Sequence, residues 1–129
     1  MNHFKVKRFS SEAKKEKVSD ALLIDTLNDF LNMGTTGQQK FSLGAGLYKL
    51  RLAAKEGRGK SGGSRSILAF KNDSRVVWLH VFSKNEKGNV SISELKKLKL
   101  LSNILLEIPG NEISKLIEIG ELYEVNENV

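Results

Sequence analysis

Two apolar runs, residues 65–70 and 76–82, dominate the middle of the chain, with the turn formers Asn72, Asp73 and Ser74 between them. Both runs are rich in β-branched and aromatic residues, so they read as the two strands of a hairpin. A third segment, residues 47–52, alternates: Leu47, Lys49 and Arg51 fall on one face and Tyr48, Leu50 and Leu52 on the other. With the hairpin it predicts an antiparallel meander, in a chain that also holds helices.

The flanking segments supply those helices. Phe4-Lys5-Val6-Lys7 alternates apolar and basic residues, as a short strand does. Ser10 or Ser11 is placed to cap a first helix, and Ser19-Asp20 a second over residues 21–32, where Leu23, Leu27, Phe30 and Leu31 make one stripe. Residues 34–39, Gly-Thr-Thr-Gly-Gln-Gln, read as a turn or loop. Ser91 and Glu94 fit a capping box ahead of a stripe of Leu95, Leu98, Leu101 and Leu105. Pro109-Gly110 ends that helix, and Asn111 is placed to cap a last one with Ile113, Leu116 and Ile117 inward. Segregated strands and helices predict an α+β fold. The 129 residues read as one domain, 1–129, with an acidic helical segment over 101–129, and no internal repeat or low-complexity stretch interrupts it.

Several chemistries are disfavoured. Cysteine is absent, so there is no disulfide, thiolate ligand or cysteine nucleophile. The two histidines, His3 and His80, are far apart, which argues against a histidine metal site. No apolar run approaches the roughly 20 residues that span a bilayer. The basic N-terminus lacks the apolar core of a secretory signal, so a soluble cytoplasmic protein is expected.

Charge is unevenly spread. Residues 1–100 hold 20 Lys and Arg against nine Asp and Glu, a net of +11, while residues 101–129 hold Lys115 against six glutamates, a net of −5. Between residues 40 and 65 seven cations face Glu56 alone. A body this basic suits a polyanionic partner. Arg58-Gly59-Lys60-Ser61-Gly62-Gly63 offers backbone amides and cations to phosphate, but it is no P-loop, because the leading glycine would fall at Ala54. Lys84 follows the most apolar strand and reads as a phosphate ligand or a proton-transfer group, and equally as a solvated strand exit. His80, in a strand of Val, Trp, Leu and Phe, reads as a buried histidine with a satisfied hydrogen bond, and Trp78 as core.

Three stretches in order, Leu43-Gly44-Ala45-Gly46-Leu47-Tyr48-Lys49-Leu50-Arg51, then Gly57-Arg58-Gly59-Lys60-Ser61-Gly62-Gly63-Ser64-Arg65, then Phe82-Ser83-Lys84-Asn85-Glu86-Lys87, resemble the RelE/HigB-like toxins of type II toxin–antitoxin systems. The end of the chain, residues 117–125, is similar to that of one branch of the family. The resemblance implies a RelE-like fold, with N-terminal helices packed on a curved antiparallel sheet and C-terminal helices beside it. It implies cleavage of messenger RNA on the ribosome, without cofactor or metal. It also implies a cognate antitoxin, in this branch commonly a helix-turn-helix protein, with mRNA and the ribosome as the other partners and no membrane. Arg51, Arg65 and Lys84 are then the expected catalytic residues, and Lys49, Arg58, Lys60, Ser61 and Lys87 the expected RNA-binding ones. Two features depart from the family pattern. Ser64 stands where relatives often carry a bulky or aromatic residue, and no C-terminal catalytic tyrosine or histidine is evident, Tyr123 carrying no assigned role. A noncatalytic basic RNA- or protein-binding module, or a ParE-like gyrase inhibitor, is the alternative.

Overall fold

The structure, a computed structural model, describes residues 2–52, 63–71, 74–83 and 90–126. Arg58, Lys60, Ser61, Lys84 and Lys87 lie outside the described residues, as do Asn72 and Asp73. In chain order the elements are β1 (Asn2–Val6), α1 (Lys7–Glu16), α2 (Asp20–Asn32), α3 (Gly34–Gln39), β2 (Ser42–Gly44), β3 (Leu47–Leu52), β4 (Ser64–Lys71), β5 (Arg75–Ser83), α4 (Ile92–Glu107), α5 (Gly110–Glu118) and β6 (Leu122–Glu124). The six strands form one sheet in the order β2-β3-β4-β5-β1-β6, giving an α+β fold.

The expected meander is present. β3 pairs antiparallel with β4, and β4 with β5. Ser74 closes the hairpin, its N–H donating to the Lys71 carbonyl at 3.1 Å. β4 and β5 are buried along nearly their whole length because helices cover both faces of the sheet, so their apolar runs do not alternate. On one face Phe9 and Ala13 of α1 and Leu23, Leu27 and Phe30 of α2 pack on Leu50, Leu52, Leu68, Phe70 and Trp78. On the other, Leu98 and Leu105 of α4 and Ile113 of α5 pack on Leu47, Ile67, Ala69, Val77 and Leu79.

The ends of the elements correct several expectations. α1 starts at Lys7, directly from β1, so Ser10 and Ser11 lie inside the helix rather than capping it. Its first turn is satisfied by tertiary structure instead: the Lys7 N–H donates to the Glu121 carbonyl at 3.1 Å. α2 is capped as expected, the Leu22 N–H donating to Ser19 Oγ at 3.1 Å. Residues 34–39 are a short helix and not a loop. Gly34 at φ +71° lets the chain turn, and the Gln38 amide donates back to the Phe30 carbonyl at 3.1 Å. Pro109, not Asn111, precedes α5 as its cap. The C-terminal segment is not wholly helical, because Leu122–Glu124 adds to β1 as an antiparallel strand. β1 itself runs parallel to β5, so the sheet is only mostly antiparallel.

The turn between β2 and β3 seats α4. Ala45 and Gly46 both have positive φ. Gly46 has φ +77°, and a β-carbon there would lie 2.8 Å from Leu106 Cδ1, so another residue would be strained and would displace that side chain. Ser102 Oγ donates to the Ala45 carbonyl at 2.8 Å, and the Phe70 N–H donates to the Gly46 carbonyl at 2.9 Å.

Candidate functional site

Strand register brings the basic residues together. Arg51 of β3 stands directly opposite Arg65 of β4, and Arg65 directly opposite Phe82 of β5. One row along, Lys49 faces Ile67, which faces His80. Side chains of directly paired residues share a face, with Cβ atoms roughly 5 Å apart. Lys49, Arg51 and Arg65 therefore form one cationic group at the end of the face that α4 covers further down. Arg51 is exposed, and Lys49 and Arg65 are half-buried. Two guanidiniums held side by side on paired strands can fork onto one phosphodiester, each presenting fixed donors. Three of the eight expected site residues are thus neighbours.

Ser64 is on the opposite face from Arg65. It is buried, and its hydroxyl donates to Glu16 Oε1 of α1 at 2.9 Å. This position ties a helix to the sheet and does not face the cationic row.

The other boundary of the site is a charged network absent from the sequence reading. β1 pairs with β5 over residues 75–78, then turns into α1, so that among the described residues the far end of β5 has no strand neighbour on that side. Glu12 of α1 takes the place of that neighbour. Its Oε1 accepts from the Val81 N–H at 3.0 Å, and its Oε2 accepts from His80 Nδ1 at 2.9 Å and from Arg8 Nε at 3.0 Å. Arg8 Nη2 donates to Glu94 Oε2 at 3.0 Å, and Glu94 Oε1 lies 3.4 Å from His80 Nε2. Burial opposes the charge on Glu12, but the His80 hydrogen bond, the Val81 amide and the charges of His80 and Arg8 outweigh it and hold the carboxyl below its ordinary value. Arg8 is likewise pulled down by burial and raised on balance by Glu12 and Glu94. Because Glu12 is a carboxylate and can only accept, His80 Nδ1 carries the proton that joins them.

A register shift opposite Ile67 and Leu68 re-aims β5 at this point, so that Leu79 and His80 both belong to the α4 side. The imidazole, 3% exposed, stacks on the Phe82 ring at 4.9 Å between centroids and 29° between planes. Along α1 the same edge opens into a cleft of about 290 Å³, lined by Glu12, Lys15, Glu16, His80, Phe82 and Ser83 among others. His80 was legible as a buried, satisfied histidine. For Arg8 and Glu12 the available signal was their i, i+4 spacing, and for Glu94 its place in the capping box. Half of that box forms, the Glu94 N–H donating to Ser91 Oγ at 3.1 Å, while the Glu94 carboxylate leaves the box for Arg8 and His80.

Among the described residues no cluster of three or more His, Cys, Asp or Glu is arranged to hold a metal ion. No helix of the described residues is long and apolar enough to cross a membrane. No curated protein matches the chain. The family model described as the RelE toxin of the RelE/RelB toxin–antitoxin system does match it, over residues 1–125. With its α+β architecture and a cationic row at one end of the sheet, the chain belongs to the RelE family of toxins, whose members work against an antitoxin partner.

Proposed function

We propose that this toxin is an endoribonuclease that cuts messenger RNA on translating ribosomes and so inhibits translation. The observation that carries the reading is the register pairing of Arg51 with Arg65, beside Lys49, in a chain of the RelE family. A cleavage that suits these residues is attack of a ribose 2′-oxygen on its own phosphodiester, which requires neither a metal nor an enzyme nucleophile. The 2′-oxygen bonds to phosphorus, the 5′-oxygen leaves with a proton, and a cyclic phosphate remains. Charge develops on the non-bridging oxygens, where fixed guanidiniums stabilise it without reorganising. Arg51 and Arg65 take that role. Arginine stays protonated and is a poor base, so proton transfer falls to Lys84. Lys49, Arg58, Lys60, Ser61 and Lys87 hold backbone phosphates of the message or the ribosomal RNA.

No strong general base is at hand in this set, so the ribosome supplies alignment, worth several kcal/mol in favourable cases. The cytoplasm is where the toxin meets this target, and its antitoxin is a helix-turn-helix protein. The test is inducible expression followed by primer extension on cellular messages, and incubation of purified toxin with naked message and with translating ribosomes. Growth arrest with new 5′ ends inside coding regions, seen only with ribosomes, is the expected result. Arrest without cut messages would overturn the nuclease reading, and efficient cutting of naked RNA would overturn the ribosome dependence.

A further inference from the structure

The Glu12–His80 couple has more built into it than an edge repair requires. Glu12 alone satisfies the Val81 amide. Yet the same carboxylate also grips a histidine that is 3% exposed, and that histidine carries Glu94 of α4 on its other nitrogen. Ion pairs of half-exposed side chains such as Arg8, Glu12 and Glu94 add little stability, whereas hydrogen bonds to both nitrogens of a buried imidazole fix its orientation closely. What it fixes here is Phe82. The ring lies flat on the imidazole, and its residue is the register partner of Arg65, which in turn partners Arg51. An unbroken line of contacts and pairings therefore runs from Glu12 through His80 and Phe82 to the two arginines.

We infer that Glu12 and His80 are positioning residues of the candidate site: Glu12 orients the His80 imidazole, whose face holds the Phe82 ring and through it the Arg65–Arg51 row. The inference rests on the nuclease reading above for its consequence in catalysis, and on the geometry alone for its consequence in the site. Neither residue touches the reacting atoms. Their part is to keep the guanidiniums where the phosphorane forms, and misplacement of about 1 Å at such a site can lower a rate by about 100-fold.

The variants are Glu12→Gln, which keeps an acceptor for Val81 and His80 while removing the charge, Glu12→Ala, which removes both, and His80→Ala, which removes the surface under Phe82. Cutting is measured on message-programmed ribosomes below the unfolding temperature of every variant, beside the parent and Arg65→Ala. The maximal rate should fall by about 10-fold to 100-fold in Glu12→Ala and His80→Ala with the half-saturating ribosome concentration unchanged, and Glu12→Gln should recover most of the loss. A purely structural role predicts parental rates in whatever fraction stays folded, and that result would overturn the inference. So would failure of Glu12→Gln to rescue. A second readout needs no activity: in NMR spectra the Phe82 ring signals and the Arg65 Nε–H should move in Glu12→Ala and return in Glu12→Gln. Unmoved signals would overturn the positioning role even if rates fell. If the parent and Arg65→Ala are equally inert on ribosomes while the signals move as expected, the nuclease reading fails and the positioning of the row stands.

Discussion

Across β3 and β4 two arginines face each other, whereas at the edge of β5 Arg8, Glu12, His80 and Glu94 join in one network of hydrogen bonds and ion pairs. The edge network is closed. Each member is hydrogen-bonded within the protein, and the arrangement holds Glu12 below and Arg8 above their ordinary values. The row sets like charges directly across two strands, an arrangement that an anion between them relieves. One region is built to keep its shape without a ligand, and the other to gain from an anionic one.

The largest effect is expected where the comparison is sharpest. Arg65→Ala should remove growth inhibition, lowering the cutting rate by about 100-fold or more, as loss of one transition-state donor does elsewhere. Its thermal midpoint should equal or slightly exceed the parent's, because removing one of two like charges set across paired strands relieves their repulsion. Unfolding curves of both proteins decide it, and a large loss of stability would make Arg65 a structural residue. Arg51→Ala should act in the same direction more mildly, with Lys49 on the same face partly substituting.

Glu12→Ala should do the reverse in stability. Leaving the Val81 amide and His80 without their acceptor costs about 1–3 kcal/mol, which a denaturant titration resolves. An unchanged midpoint would mean that water replaces the carboxylate without loss.

A smaller effect is expected with pH. Burial lowers the pKa of His3 from 6.5 to about 4, against a weaker upward pull from Asp20. The neutral ring is required, since Trp78 Nε1–H donates to His3 Nε2 at 2.6 Å. A depressed value means that the unfolded chain binds the proton first. Stability from this group is complete above pH 6.5, declines as pH falls toward 4, and changes no further below that. Glu12, also depressed, gives stability that is present above the ordinary carboxylate range and lost at still lower pH, as its folded value is crossed. His3→Gln keeps an acceptor for Trp78 and should flatten the slope between pH 4 and 6.5; an unaltered slope would assign it to other groups.

Least of all should follow from Lys71→Ala. Its pair with Glu107, 2.7 Å long, is exposed on both sides and should contribute under about 1 kcal/mol, falling with salt.

The meander, the helical stripes and the Ser19 and Ser91 caps were legible because they depend on local pattern: period-2 alternation, 3.6-residue stripes and turn chemistry within a few residues. The presence of Lys49, Arg51 and Arg65 in one basic segment was legible for the same reason. What the sequence did not disclose is long-range. β6 is three residues long, and β1 pairs with β5 residues that lie 73 positions further along the chain (Asn2 with Arg75), so neither pairing has a local signature. The start of α1 is fixed by a carbonyl at Glu121, which no N-terminal residue announces. Arginine facing arginine is a matter of register between β3 and β4, and register is set by which faces the helices cover. Glu12 became a substitute strand neighbour only because β1 stops pairing with β5 at Trp78 and bends into a helix. The sequence alone determined the central strands, the main helices and the basic segment; tertiary structure alone decided the short elements at their margins and which charges meet, because both depend on distances between residues that are remote in the chain.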